Sequence, residues 1–349
     1  MTRVGTMRPK KGGKAPGRIS RYLERNRISE GYLIRRDVGR AIGSFCRVVL
    51  LFGLCFLILQ PLLIQFSNSI MSTPDLLDPT VISIPRYPTT AMYTTAVYLM
   101  NYWRSLGVTL AITFGGSVFQ IVACALAAYG FARFNFPLKR FWFVCVMLTI
   151  LVPPQVIMAP LFLNFRFFDF FGIVSLLNPA GNPINMLNVG GYFIMVATGM
   201  GLRSGLYIFM LRQYMRNMPK ELEEAAYVDG CGKLRTFVQI ILPDAVPMLV
   251  SCFLFAFVWQ WTDGFFNSMF LQGQGVMSMQ MSALGETYRN WYISEIIAQQ
   301  GGHGFAPPLA EMQQIISIGL LIGIAPIIAI YLFAQRLFVE SIGQSGLKM

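Results

Sequence analysis

Long apolar runs constrain the fold of this 349-residue chain more than any other feature of its sequence. Several of them approach about 20 residues, the length at which an α-helix crosses the hydrocarbon core of a bilayer. Hydrophobic residues make up 55% of the chain and charged residues only 13%, which is more apolar than soluble domains are on average. The chain is therefore predicted to be an all-α membrane protein with six spans. The predicted spans lie at about 45–66, 105–131, 141–162, 191–214, 245–266 and 312–338.

Basic residues are distributed unevenly between the predicted loops, and this bias predicts the orientation of the spans. Of the 28 Lys and Arg, 12 precede Ala41, and most of the others fall in loops on the same side. The loops of the opposite side carry only Arg86, Arg104, Arg166 and Arg289. Because cytoplasmic loops carry an excess of Lys and Arg, both termini are predicted to be cytoplasmic. The same bias accounts for the net charge of +12 without a nucleic-acid interface.

The predicted spans divide the chain into three regions. These are a basic N-terminal extension at 1–44, a six-helix membrane domain at 45–340 with a cytoplasmic loop at 215–243, and a short tail at 341–349. In the extension, apolar residues recur at helical spacing between Ile19 and Ile42, with Arg and Glu between them. This pattern is typical of a helix that lies in the membrane interface, so the extension is predicted to rest on the cytoplasmic leaflet.

The stretch from Glu223 to Pro243 lies between two predicted spans, yet it does not have the composition of a flexible loop. Its glutamates stand at the start of a predicted helix, where the helix dipole favours negative charge. Gly230 and Gly232 are predicted to end that helix, since glycine accepts a positive φ at little cost. A second short helix is predicted at 233–242, ended by Pro243. On this pattern alone, the stretch is either an ordered cap of the bundle or a docking element.

The spacing of particular residues in this stretch separates the two interpretations. Glu224-Ala225-Ala226 is followed by Gly230 and then by Ile240-x-Leu242-Pro243. This arrangement resembles the EAA loop of ABC importer permeases, which docks on a cytosolic ATPase subunit and carries its motion to the membrane helices. The residues to which the resemblance assigns this coupling role are Glu223, Glu224, Ala225, Ala226, Asp229, Gly230, Gly232, Ile240, Leu242 and Pro243.

Other segments extend the resemblance over residues 45–349. They are Ala127–Phe134 at the end of span two, Pro154-Gln155-Val156 in span three, and Trp261-Thr262-Asp263 in span five, where Thr262 replaces an Asn. They resemble carbohydrate importer permeases of the maltose type, specifically the smaller permease partner. The resemblance implies one transmembrane half of an ATP-driven sugar importer in a bacterial plasma membrane. It also implies two ATPase subunits that bind ATP and Mg, a second homologous permease and an external sugar-binding protein.

Aromatic, amide and carboxylate side chains near the outer end of span five have the chemistry that binds sugars, which combine apolar C–H faces with hydroxyl rims. An interfacial tryptophan belt accounts for the same aromatic residues without any ligand. A carboxylate in a span favours a functional role, because intramembrane charges are costly. The candidate substrate-path residues are Trp259, Gln260, Trp261, Asp263, Asn267, Arg203 and Gln155.

No signature of catalysis accompanies these features, so the chain is predicted not to be an enzyme. It has no G-x-x-x-x-G-K-[ST] motif, so any ATP must bind to another subunit. The single histidine, His303, and six cysteines without a C-x-x-C pair predict neither a metal site nor a disulfide framework. Two alternatives stay open. One is the same architecture importing glycerol phosphate or a polyamine, and the other is a secondary transporter, which would need repeat-related broken helices.

Overall fold

A computed structural model of the protein describes residues 27–28, 32–82, 84–169, 183–300 and 305–346. Within these ranges the secondary structure is helical, apart from one isolated bridge between Phe168 and Ile184. The contacts divide the chain into two units, Met1–Ile64 and Gln65–Met349. Residues 19–26 and 29–31 of the predicted interfacial helix, His303 and residues 347–349 of the tail lie outside the described residues.

One long helix makes up the described part of the first unit. Helix α1, Tyr32–Ser69, begins in the basic extension, runs through the first predicted span and extends into the second unit. Residues 32–44 are therefore the first turns of the same helix as the span. Every side chain from 38 to 64 is exposed, and these side chains are overwhelmingly apolar. A helix that is apolar all round is suited to a membrane, where lipid or another protein can cover it.

The second unit is a set of helices of very different lengths. In chain order they are α2 Thr73–Leu77, α3 Ala91–Leu99, α4 Tyr102–Arg133, α5 Lys139–Leu151, α6 Pro154–Arg166, α7 Val189–Ala197, α8 Ser204–Arg216, α9 Glu221–Val228, α10 Lys233–Thr236, α11 Leu242–Asp244, α12 Val246–Trp261, α13 Phe265–Phe270, α14 Met277–Gln300 and α15 Leu309–Gly346. A π-helical segment, Phe237–Ile241, joins α10 to α11.

The described residues contain three to five candidate membrane spans. Helices α1, α4 and α15 are each long and apolar enough to cross a bilayer. Two bent pairs pass the same test, α5 with α6 at an angle of 108° and the α10–α11 segment with α12 at 78°. The α7–α8 pair, which corresponds to the fourth predicted span, is interrupted at 198–203. The protein is thus a multi-pass membrane protein, and the count of six spans stays a prediction.

Helix α4 is the element on which the core is built. It runs for 32 residues without a proline and packs against α7, α8 and α12. Ile121 and Tyr129 belong to its cluster with α8 and α12, and Ile112 belongs to a second cluster with α6, α7 and α13. Small residues allow neighbours to approach closely, as at Gly116, where a Cβ would lie 2.6 Å from Gln260 Oε1. The core therefore follows α4 along its length.

Two of the breaks in the other spans lie at Pro153-Pro154 and at 198–203, and only the first of them was predicted. Pro153-Pro154 separates α5 from α6, as expected from the missing N–H and fixed φ of proline. The interruption between α7 and α8 was missed by the prediction of one continuous span at 191–214. There Gly199 has φ +77° and Arg203 has φ +58°, both in the left-handed region that an α-helix cannot include.

Most of the segment predicted only as the external loop 267–310 is helical. Helices α13 and α14 lie within it, and α14 packs against α3 and α15. The polar and charged residues of α14 lower the apolar content of this helix below that of a span. Met277, Leu284 and Tyr288 nevertheless recur at helical spacing and are buried in a cluster with Ile315 and Ile318 of α15. The prediction missed this helix because the buried stripe is narrow.

Candidate functional site

The helix α9 forms where the sequence predicts a helix after Pro219. Glu221, Glu223 and Glu224 occupy its first turn, where the dipole favours acidic residues. The helix ends in a Schellman motif, because the Cys231 N–H donates to Ala226 O at 2.9 Å and the Gly230 N–H donates to the Tyr227 carbonyl at 3.1 Å. Gly230 has φ +81°, which confirms that it is the glycine that ends the helix.

The chain after Gly230 differs from the prediction in two details. Gly232 has φ −75° and ψ 162°, so it is extended and begins the next helix instead of ending α9. The second helix does not stop at Pro243. It continues through the π-helical segment into α11 and ends at Asp244, because a proline in the first turn of α11 needs no N–H partner.

The two faces of α9 have different environments. Glu223 and Ala226 are buried, whereas Glu224 and Ala225 are exposed and Val228 is 87% exposed. The inner face therefore packs on the protein's own chain. The outer face is free to contact another molecule.

Arg133, the last residue of α4, attaches the inner face of α9 to the bundle. Its Nε lies 2.5 Å from Glu223 Oε1, and the two side chains are only 6% and 8% exposed. The N–H of Nε does not point at this oxygen, so the contact is an ion pair without hydrogen-bond alignment. Nη2 of Arg133 donates to the Met218 carbonyl at 3.0 Å. One guanidinium thus holds both α9 and the turn before it.

Two aromatic contacts fix the rest of the segment 217–244 to the same end of α4. Lys233 Nζ lies 5.2 Å above the ring of Phe134, and the ring centroids of Phe237 and Tyr129 are 4.6 Å apart. A cavity of about 410 Å³ opens beside these contacts. Its lining residues are Arg133, Phe134, Asn135, Lys220, Glu223, Glu224, Tyr227 and Lys233.

The remaining residues assigned to coupling lie along this segment in mixed environments. Asp229 caps the C-terminus of α9 and is exposed, as is Pro243. Ile240 and Leu242 are half-buried. Their part in coupling stays a prediction, as does that of the residues of α9.

A buried polar network joins four helices near the middle of α4. Gln120 Nε2 donates to Leu202 O and to Ser204 Oγ, each at 2.8 Å. Gln260 Nε2 of α12 donates to Gln120 Oε1 at 2.6 Å, and the Tyr192 hydroxyl of α7 donates to Gln260 Oε1 at 3.1 Å. Gln120 thereby satisfies a carbonyl that the break between α7 and α8 leaves free.

The structure places most predicted substrate-path residues inside this packing. Trp261, Asp263 and Asn267 are buried together with Gln260. Trp261 Nε1 donates to Gly323 O at 3.2 Å. Asp263 Oδ1 accepts from the Phe265 N–H at 2.8 Å, and Asn267 Nδ2 donates to Ser278 Oγ at 2.9 Å. The polar groups of these residues are therefore engaged within the protein.

The other three substrate-path residues are more accessible. Trp259 is exposed, and the guanidinium of Arg203 lies 3.8 Å above its ring. Gln155 is exposed in the first turn of α6. A groove of about 580 Å³ opens between α12, α14 and α15 and has both hydroxyl and apolar walls. Its lining residues are Trp261, Thr262, Ser278, Met281, Ser282, Gly285, Glu286, Met312, Ile316, Leu320, Gly323 and Ile324.

Arg133 and Gln120 are the important residues that the sequence-based site missed. Arg133 lies in the segment Ala127–Phe134 that carries part of the resemblance but was given no role of its own, and Gln120 was not singled out. An amide in the middle of an apolar span is a usable signal, since such a group needs a partner. Among the described residues, no group of three or more His, Cys, Asp or Glu is placed to hold a metal ion.

Comparison with known proteins gives related permeases from several organisms. The chain is 32% identical over 164 residues to a probable ABC transporter permease of Pyrococcus horikoshii, covering 47% of this chain and 53% of that protein. It is 28% identical to the diacetylchitobiose uptake system permease of Streptomyces coelicolor, over 64% of this chain and 74% of the relative. It is 26% identical to the sn-glycerol-3-phosphate transport system permease of Yersinia enterocolitica, over 88% of this chain and 98% of the relative.

The fold has a counterpart among solved structures. A chain of a bacterial ABC transporter involved in the import of the acidic polysaccharide alginate superposes with a TM-score of 0.62, at 21% identity, over 85% of this chain and 96% of that one. The profile of one family matches residues 120–344, which include α9 and the whole network around Gln120. The chain belongs to the family described as the inner membrane component of binding-protein-dependent transport systems.

Proposed function

We propose that this protein is a transmembrane permease subunit of an ATP-driven sugar importer and that α9 is its coupling helix. The observation that carries the proposal is the two-sided environment of α9. Its inner face is attached to α4 by the buried Arg133–Glu223 pair, while its outer face exposes Glu224 and Ala225. A helix that transmits force between two proteins needs both a firm internal attachment and a free external surface.

The proposed partners follow from the family and from the charge of the chain. A binding-protein-dependent importer needs an ATPase and an external binding protein, and the described residues of this chain contain no nucleotide-binding motif. The excess of Lys and Arg around α9 and in the N-terminal extension supports a cytoplasmic location for both, in a bacterial plasma membrane. Half of a translocation pore needs a second half, which we propose is a homologous permease.

A neutral sugar is the solute that the chain's own chemistry favours. The groove beside α14 is lined by hydroxyl groups, apolar side chains and the carboxylate of Glu286, and it has no Lys or Arg in its lining. Such a surface accepts hydrogen bonds from sugar hydroxyls, and its lining offers no cation to a phosphate or carboxylate. The relative from Streptomyces takes up a sugar, which agrees with this choice. The Yersinia relative supports glycerol phosphate as the alternative solute.

The solute assignment is testable by competition. Uptake of a labelled neutral oligosaccharide would be measured in membrane vesicles that contain the assembled transporter. Each measurement would be repeated with excess glycerol 3-phosphate and with excess unlabelled sugar as competitors. We expect only the sugar to compete. Competition by glycerol 3-phosphate alone would replace the sugar assignment by the alternative.

The coupling role is testable by affinity purification of the full-length chain from its native membrane. We expect an ATPase and a second permease to accompany the wild-type chain. Glu224→Ala should reduce recovery of the ATPase, because it removes a charged acceptor from the outer face of α9. Glu295→Ala serves as the matched control, since this glutamate is exposed on α14, outside both the segment 217–244 and the lining of the groove. A chain that purifies alone and transports in liposomes without ATP would contradict the proposal.

A further inference from the structure

We propose that the Arg133–Glu223 ion pair is the joint through which movement of α9 passes into the membrane bundle, and that α4 is the helix that receives it. Both residues are then positioning residues, because they act through the helices that carry them. The inference rests on the proposed coupling function of α9. It adds which contact transmits the motion and which span moves first.

Helix α9 is connected to the rest of the chain by irregular backbone on both sides. The backbone on either side of α9 can change conformation easily. Before it lies the turn at 217–220, and after it lie the left-handed Gly230, the π-helical segment and the 78° bend into α12. Bends and glycine turns absorb displacement by changes in φ and ψ. A displacement of α9 therefore reaches the bundle more directly through side-chain contacts than along the backbone.

The inner face of α9 has one strong attachment to the bundle. Glu223 is buried on this face and faces Arg133, and the only other buried residue of the helix is Ala226. The charged groups around the pair are Lys220 just before α9, Glu224 on α9 and Lys233 on α10. Lys233 lies over the Phe134 ring, and Arg133 also binds the Met218 carbonyl. The contact surface of α9 with the bundle therefore centres on the end of α4.

Helix α4 is able to carry a displacement across the bundle. It is a single 32-residue helix without proline, whereas the α5–α6 pair and the α7–α8 pair are both broken. It is also attached to its neighbours along its length. Near its start, Tyr102 OH donates to Ile322 O at 3.2 Å, and Thr109 Oγ1 accepts from the Met277 N–H at 2.8 Å. At its middle, Gln120 is bonded to the α7–α8 break and to α12. A continuous helix attached in this way moves as a unit and shifts α8, α12, α14 and α15 together.

The test is charge reversal within the assembled transporter. Arg133→Glu, Glu223→Arg and the double variant would be reconstituted in liposomes with the ATPase, the second permease and the binding protein. Solute uptake per ATP hydrolysed is the measured quantity, together with recovery of the ATPase. Each single variant places like charges in a buried site, and we expect uptake per ATP to fall about five- to thirtyfold while the ATPase still binds. The double variant should regain more than about half of the lost coupling, because it restores an opposite-charge pair.

Arg140→Glu is the matched control for the change in charge. Arg140 is exposed near the start of α5, at the same end of the bundle, and it takes no part in the pair. It should leave uptake per ATP unchanged. If both single reversals behave like this control, or if the double variant is no better than either single one, the pair is not the joint. A merely structural role would lower assembly and uptake in parallel and would leave the ratio of uptake to ATP hydrolysis unchanged.

A second measurement on the full-length chain alone does not depend on the ATPase. Amide hydrogen exchange in lipid nanodiscs should be about tenfold or more faster in α9 of each single variant, with the middle of α4 unchanged, and should recover in the double variant. Unchanged exchange in α9 would refute the attachment itself. A wild-type complex that hydrolyses ATP without moving solute would instead refute the proposed function, while the exchange data would still decide whether the pair holds α9 to α4.

Discussion

Gln120 offers the sharpest test of how this bundle is held together, because three hydrogen bonds converge on one buried amide. Replacing it by Met keeps nearly the same volume and removes the bonds to Leu202 O, Ser204 Oγ and Gln260 Nε2. Side-chain hydrogen bonds between membrane helices average about 0.6 kcal/mol, and a buried polar group left without a partner costs about 1–3 kcal/mol. Gln120→Met should therefore lower the free energy of unfolding by about 2–4 kcal/mol.

The assay is reversible unfolding of the purified chain in mixed micelles by increasing sodium dodecyl sulfate, followed by tryptophan fluorescence. The double variant Gln120→Met/Gln260→Met is the informative companion. It removes both partners of the shortest hydrogen bond in the network, so no Gln260 amide is left without its Gln120 partner. Its cost should be smaller than the sum of the two single costs by about 0.5–1.5 kcal/mol.

Gln239 provides a control of the same residue type in an exposed position. Gln239→Met should change stability by less than about 0.5 kcal/mol, as surface substitutions usually do. A loss in free energy of unfolding for Gln120→Met as small as that for Gln239→Met would refute the role of the network. That role is also refuted if the costs of Gln120→Met and Gln260→Met simply add, because the two amides would then be energetically independent.

Three further substitutions test individual features of the fold. Gly230→Ala forces a side chain into φ +81° and should destabilise α9 by about 1 kcal/mol, measured as faster amide exchange confined to that helix. Gly205→Val would bring a Cβ to Val146 O at 2.7 Å and closer still to Thr149 Oγ1, so the α5–α8 contact should open and the unfolding temperature should fall by several degrees. Trp261→Phe removes the bond to a backbone carbonyl of α15 and should cost about 1 kcal/mol in the same micelle assay.

Features that depend on local backbone chemistry were predictable from the sequence. Pro153-Pro154 breaks a span because proline lacks an N–H, whatever the surrounding fold is. Gly230 ends α9 because its position after an acidic first turn and an apolar stretch matches the general pattern of helix termination. The start of α9 follows from the same local rules. In each case the energetic preference is larger than the tertiary contacts that could oppose it.

Features that depend on partners distant in the sequence were not predictable. Arg203 adopts a left-handed conformation that its residue type disfavours, and the cation–π contact with Trp259 and the break beside it exist only in the folded bundle. Glu223 and Glu224 are adjacent and chemically identical, yet one is buried against Arg133 and the other is exposed. The resemblance assigned the coupling role to both, and helical periodicity alone does not identify which face meets the rest of the chain.

The burial of the Arg133–Glu223 pair is hard to explain as a means of stabilisation. Desolvation of two charges offsets much of their attraction, and apolar pairs of similar volume often stabilise proteins as well or better. An apolar side chain in place of Arg133 would not hold a second group such as the Met218 carbonyl. The Arg133 guanidinium pairs with Glu223 and donates to the Met218 carbonyl, so it contacts both α9 and the turn before it and restricts the position of α9 relative to α4. The outer face, with Glu224 and Ala225, then has a defined orientation towards a partner. We infer that the charge pair serves to hold α9 in place, because a coupling helix that slides or rotates on its inner face would lose the movement it has to transmit.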